Sequence, residues 1–167
     1  MRRPRAWIYN RGVQKTTDTR RSRAAAEIGR DCLAMRVRLL GRAITRVYDS
    51  ALRPHGVNIA QVNLLVSIGN FQPVPSGKLA DALSMDISTL SRNVALMERE
   101  GWVDVLKADR GNGRVLRLTE VGAAKLDALK PAWSAAQKEA AALLGPDATR
   151  SIMEVVDDAL AEGIDHL

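Results

Sequence analysis

The sequence predicts a mainly helical fold carrying one small β-hairpin, behind a basic N-terminal arm. Three observations carry that reading. Apolar residues recur at three- and four-residue spacings through most of the chain, the period of helices with one buried stripe. Hydrophobic residues make up 46% of the chain but aromatics only 4%. A core built from Leu, Val, Ile and Ala favours packed helices over a β-sandwich. Extended alternation surrounds a single turn, Asn112-Gly113, the dipeptide a primed hairpin turn prefers because both central residues need positive φ.

Residues 1–30 form the arm, expected to be disordered because they show no apolar periodicity. They hold nine basic residues, Arg2, Arg3, Arg5, Arg11, Lys15, Arg20, Arg21, Arg23 and Arg30, against Asp18 and Glu27. With 25 basic and 19 acidic residues in all, the rest of the chain has 16 against 17, so the net charge of +6 resides in the arm. Either the arm supplies nonspecific phosphate contacts or it is a dispensable extension. Global charge is therefore poor evidence for the partner of the folded body.

From Asp31 the pattern becomes helical, with Leu33, Val37, Leu40, Ile44, Val47 and Ala51 on one stripe and Pro54-His55-Gly56 ending the run. Arg36, Arg38, Arg42, Arg46 and Arg53 lie off the stripe, as a solvated face. Asp49 stands four residues before Arg53, the spacing of a helical ion pair. Asn58 caps a second helix, Ile59 to Gly69, whose Val62, Leu65 and Ile68 pack inward. Phe71 to Pro75 reads as a rigid connector.

A short helix follows with Leu79, Ala80 and Leu83 on one face, then the turn Ser84-Met85-Asp86. The next helix buries Ile87, Leu90, Val94 and Met97. Its first two turns leave Ser88, Thr89, Ser91, Arg92 and Asn93, groups able to bond phosphates and base edges. Gly101 stops it in the left-handed cap conformation. The hairpin then runs from Val103 to Leu118, with Arg110 and Arg114 on either side of its tip. Helix, turn, helix and basic-tipped hairpin together make a winged helix-turn-helix over residues 59–118. Such a unit places its second helix in the major groove and its wing on the backbone or minor groove.

Thr119 caps a long helix in which Gly122, Leu126, Leu129, Trp133, Ala136, Ala140 and Leu143 repeat four-three through three heptads, with Pro131 expected to bend it. Gly145-Pro146 breaks the chain. Ile152, Val155, Val156, Ala159 and Leu160 give a last amphipathic helix. From Thr119 onward Lys125, Lys130, Lys138 and Arg150 face nine carboxylates, so this segment should avoid DNA.

In Leu79-Ala80, Leu90-Ser91-Arg92-Asn93, Glu98-Arg99-Glu100-Gly101 and Leu118-Thr119-Glu120-Val121-Gly122, taken in this order and spacing, the chain resembles the MarR (multiple antibiotic resistance regulator) family over roughly residues 31–144. The wing departs from that family's run of arginines after an Asp, so either Arg110 or Arg114 takes the groove-contacting position. The resemblance implies a single domain over residues 31–167, with residues 31–53 and 119–167 as a helical dimerisation layer. It further implies a homodimer on double-stranded DNA, a pseudo-palindromic operator and repression relieved by a small-molecule effector of unknown identity. The effector pocket would lie between layer and reading head, where Tyr48 and Trp133 are candidate lining; the alternative is that both are core residues. Cys32, near the start of the first helix and one turn from Arg36, is the position for an oxidant-sensing thiol such as one branch of the family uses; the alternative is a small buried hydrophobe.

Catalysis finds little support. His55 and His166 are the only histidines, no nucleophile-base pair or zinc spacing is present, and Ser76-Gly77-Lys78 lacks the rest of a phosphate loop. No enzyme activity, metal or cofactor is expected. One cysteine excludes an internal disulfide, and no apolar run approaches a membrane span. The expected location is the bacterial cytoplasm, at the nucleoid. The rival reading is a helical protein-interaction module that touches DNA only nonspecifically, through the arm.

Overall fold

A computed structural model of the chain describes residues 22–108 and 113–161. It divides after Leu39 into two units. The first carries α1 (Arg23–Asp31) and the opening of α2 (Leu33–Leu52). Helix α1 revises the expectation of a disordered arm for its last residues. Ser22 accepts the Ala25 N–H at 3.3 Å as N-cap, and three consecutive alanines, the best helix formers, follow. Cys32, in extended conformation, separates α1 from α2, so the first predicted helix starts two residues later than expected. On α2, Leu33 and Val37 are 73% and 57% exposed.

The second unit takes up the remainder of α2, a 3-10 turn over Arg53–His55, α3 (Ile59–Phe71), β1 (Val74–Pro75), α4 (Ser76–Ala82), α5 (Ile87–Arg99), β2 (Val103–Lys107), β3 (Arg114–Leu118), α6 (Glu120–Leu144) and α7 (Pro146–Ala161). Asn58 caps α3 as expected, and Gln61 completes a capping box: Asn58 Oδ1 accepts the Gln61 N–H at 2.9 Å while Gln61 Oε1 accepts the Asn58 N–H at 3.0 Å. Asp49 does not act as Arg53's ion-pair partner. Its carboxylate accepts the Ile59 N–H at 2.8 Å. Helix α2 ends at Leu52, which takes Arg53 out of the i, i+4 register.

Residues Leu64, Leu65 and Ile68 of α3, Leu79 and Ala80 of α4, Leu90, Val94 and Met97 of α5, Val103 of β2 and Leu116 of β3 form one buried cluster. Ile87, expected on the same stripe, is 52% exposed because it opens α5 ahead of the turns that lie on this core. The expected connector also holds a strand. Val74 and Pro75 pair antiparallel with Leu116 and Val115, so the two-stranded ribbon is a three-stranded sheet in the order β1-β3-β2. A second cluster gathers Leu52, Val57, Val62 and Leu129, and Trp102 and Leu126 touch both.

Helix α5 closes in a Schellman motif. Gly101, at φ 73°, donates to the Glu98 carbonyl, and Trp102 to that of Met97 at 2.8 Å. Helix α6 then begins against the same corner. Thr119 Oγ1 donates to the Gly101 carbonyl at 2.7 Å and accepts the Gly122 N–H at 2.9 Å, and the Thr119 N–H reaches the Trp102 carbonyl at 3.0 Å. A Cβ at Gly122 would lie 2.2 Å from the Trp102 carbonyl oxygen. Helix α6 runs on through Pro131 as one element of 25 residues.

Gly122→Ala therefore tests the corner. Helix propensity alone would favour alanine by about 1 kcal/mol, whereas overpacking against backbone should cost about 1–3 kcal/mol net. Urea denaturation of the variant should show the loss; equal or greater stability would mean that the close approach does not exist in solution.

Candidate nucleic-acid interface

The two helices of the predicted reading unit are α4 and α5, joined by Leu83–Asp86. Asp86 is the N-cap of α5: one carboxylate oxygen accepts the N–H groups of Ser88 at 2.8 Å and Thr89 at 3.1 Å, and the Ser88 hydroxyl at 2.5 Å. These bonds, the Ser88 hydroxyl first, then the Thr89 and Ser88 amides, and the nearby Arg92 charge, hold the carboxyl below the usual aspartate range. Sequence reading placed Asp86 in the turn and missed this role. An Asp directly before an amphipathic run is the signal that would have found it.

Helical phase sorts the five residues expected to contact DNA. Ser88, Ser91 and Arg92 are exposed and share one face of α5. Thr89 and Asn93 are half-buried, toward the core side. The Asn93 amide donates to the Thr89 carbonyl at 2.9 Å, and Arg92 Nη2 donates to Thr89 Oγ1 at 3.1 Å. Thr89 and Asn93 thus hold the exposed row as much as they extend it.

In the wing, Val103 to Lys107 pair with Leu118 to Arg114, and the Ala108 N–H reaches the Gly113 carbonyl at 2.9 Å. Arg110 and Asn112, the tip residues named from sequence, lie outside the described residues. Arg114 is exposed, and its register partner is Lys107, also exposed, which sequence reading passed over. A two-residue turn at Asn112-Gly113, as expected from sequence, would have set Lys107 opposite Leu118. The observed register corrects that reading, because six residues rather than two lie between the paired strand ends. Two cations directly opposite are unfavourable by themselves.

Tyr48 and Trp133 come together. Both line an open groove of about 360 Å³ with Ile44, Thr45, Ile59 and Asn63. The Tyr48 hydroxyl donates to Gln137 Oε1, and burial raises its pKa. Trp133 also walls a neighbouring apolar groove of about 290 Å³ with Val62, Val66, Leu126 and Leu129. Cys32 is half-buried between α1 and α2. Among the described residues no group of His, Cys, Asp and Glu is arranged to hold a metal ion, and no helix is long and apolar enough to cross a membrane.

The sequence model of the MarR family matches residues 57–115, the span from the α3 cap to the middle of β3. The solved transcriptional regulator MosR of M. tuberculosis, in complex with DNA, is 30% identical, with 78% of this chain and 98% of that one covered at a TM-score of 0.63. The chain belongs to the MarR family. At lower identity the fold is shared by a cysteine-to-serine mutant of MarR from E. coli complexed with operator DNA (21% identity, 80% and 96% covered, TM-score 0.68) and by AbsC, a MarR family transcriptional regulator from Streptomyces coelicolor (22%, 80% and 93%, 0.64). No curated protein sequence matches the chain. In this MarR-family chain the family match falls on the winged helix-turn-helix and stops short of α6 and α7.

The cap gives a pH-dependent prediction. A folded-state pKa below its unfolded value contributes stability that is complete above the ordinary aspartate pKa and is lost as pH falls through the lowered folded one. Asp86→Asn keeps a capping side chain without the charge. In thermal melts the parent's advantage over this variant should shrink as pH drops through the aspartate range. A difference constant down that acid limb would rule out the ionised cap.

Proposed function

We propose that this chain is a homodimeric, sequence-specific DNA-binding transcriptional regulator that represses by occupying a pseudo-palindromic operator. One observation carries the reading: Ser88, Ser91 and Arg92 stand exposed in a row on the second helix of a winged helix-turn-helix, in a chain 30% identical to a regulator solved with DNA. Arg92 is the leading base reader, since a guanidinium can bond guanine O6 and N7 together. Arg114, with Lys107 beside it, supplies phosphate contacts, and Arg110 shares that role on the reading of the sequence. An anionic backbone would offset the repulsion between the paired wing cations.

The dimer reading is supported by apolar surface that is exposed among the described residues. Besides Leu33 and Val37 on α2, Met153, Val155 and Val156 on α7 are 54%, 67% and 44% exposed. A second copy related by a twofold axis would cover such faces and set two recognition helices about 34 Å apart, one duplex turn. An effector that relieves repression would enter the groove lined by Tyr48 and Trp133. Such a protein works in the cytoplasm, at the nucleoid, and has no catalytic role.

Binding of the full chain to its own upstream DNA tests the whole reading. Arg92→Ala should cost about 1–3 kcal/mol at one operator position and relax specificity there. Arg114→Ala should weaken all sequences alike and lower the salt slope of log affinity by about 1. The same titration should saturate at two chains per operator. Binding that ignores both sequence and Arg92 would sink the proposal. For Cys32 as an oxidant sensor, peroxide should release DNA from the parent and not from Cys32→Ser; equal release from both would remove the thiol from the mechanism.

A further inference from the structure

A serine hydroxyl is ordinarily an undiscriminating reader, because it rotates to donate or to accept. In this chain Ser88 has lost that freedom. An ionised carboxylate can only accept, so the 2.5 Å contact between Ser88 Oγ and Asp86 Oδ1 requires the serine to be the donor. The Ser88 backbone N–H points to the same oxygen at 2.8 Å. What Ser88 still offers outward, from an exposed position on the reading face, is the pair of lone pairs on its oxygen. The low pKa of Asp86 keeps the carboxylate charged at neutral pH.

Resting on the reading of α5 as the recognition helix, we propose that Ser88 reads the operator as a hydrogen-bond acceptor only. It would select a base whose major-groove edge presents an exocyclic amine, adenine or cytosine, with Asp86 as the positioning residue that sets this polarity. Phosphate is a poor alternative partner. Its oxygens need a donor, Ser88 has none left, and the Asp86 charge repels them.

Arg92 gives the complement. It stands one turn beyond Ser88 on the same face and offers only donors, which match the acceptor edge of guanine. Four residues advance about 6 Å along a helix, and the base step is about 3.4 Å. Nη2 is moreover drawn back to Thr89 Oγ1, toward the end that holds Ser88. The half-site should therefore carry an amine-bearing base within about two base pairs of the position read by Arg92.

The test is selection of randomised duplexes by the full-length protein, followed by affinity measurements on single-base variants of the selected site. Parent, Ser88→Ala, Asp86→Ser and Arg92→Ala chains are compared. One half-site position should favour adenine or cytosine by roughly two- to tenfold, the worth of one hydrogen bond, and Ser88→Ala should flatten that position alone. Asp86→Ser keeps a capping hydroxyl but frees the Ser88 proton, so guanine and thymine should become acceptable there; a cap lost without consequence for sequence could not do this. A parental preference for guanine or thymine at the Ser88-dependent position would overturn the inference. So would a Ser88→Ala variant that weakens all sequences evenly, or that changes nothing while Arg92→Ala still flattens its own position. These last outcomes leave the DNA-binding reading standing, whereas a parent without any sequence preference would remove both.

Discussion

The close contact between the start of α6 and the start of β2 is the constraint on which the rest of the second unit depends. One threonine makes it. Thr119 ends the wing, caps α6 through Gly122 and bonds the Gly101 and Trp102 carbonyls that follow α5. Gly122 is there because backbone lies where a side chain would be. The recognition helix, the wing and the long helix are thereby joined at one corner, and the Schellman turn at Gly101 satisfies the carbonyls that the end of α5 would otherwise leave open. Trp102 extends the joint into the interior. Its ring reaches both buried clusters, and Lys125 of α6 lies 5.0 Å from the ring centroid while donating to the His55 carbonyl.

On this support the exposed face of α5, the proposed reading face, is ordered by short polar bonds. Asp86 holds the first turn of α5, Thr89 holds Arg92, and the Asn93 amide is spent on its own helix. Each bond removes a choice from a side chain that would otherwise rotate. A reader whose donors and acceptors are assigned before DNA arrives loses less rotamer entropy on binding, and it discriminates between bases that a free hydroxyl would treat alike.

The apolar surface tells a complementary story. Helix α6 buries Leu129, Ala136 and Ala140, yet Trp133 and Leu143 on the same predicted seam are 39% and 59% exposed. In α7 none of the described side chains is buried. The four-three pattern is thus longer than the described residues bury. That surplus is what a partner helix layer would cover.

By itself the sequence determined whatever is encoded within one element or one turn. The helical periods, the Asn58 and Thr119 caps, the Gly101 stop and the Gly145-Pro146 break all rest on neighbours a few residues apart, and all appear where those neighbours put them, whereas the wing keeps its two strands but not the register that Asn112-Gly113 implied. Tertiary structure decided what depends on residues far along the chain. Two residues of β1 carry no strand signal and pair only because β3, some forty positions later, presents an open edge. Asp49 abandons a helical ion pair for the Ile59 amide because the chain turns back at Pro54. The exposure of Ile87 and the inward tilt of Asn93 follow from where the core stops along α5. Periodicity gives the face of a helix, but only packing sets which turns of that face are covered.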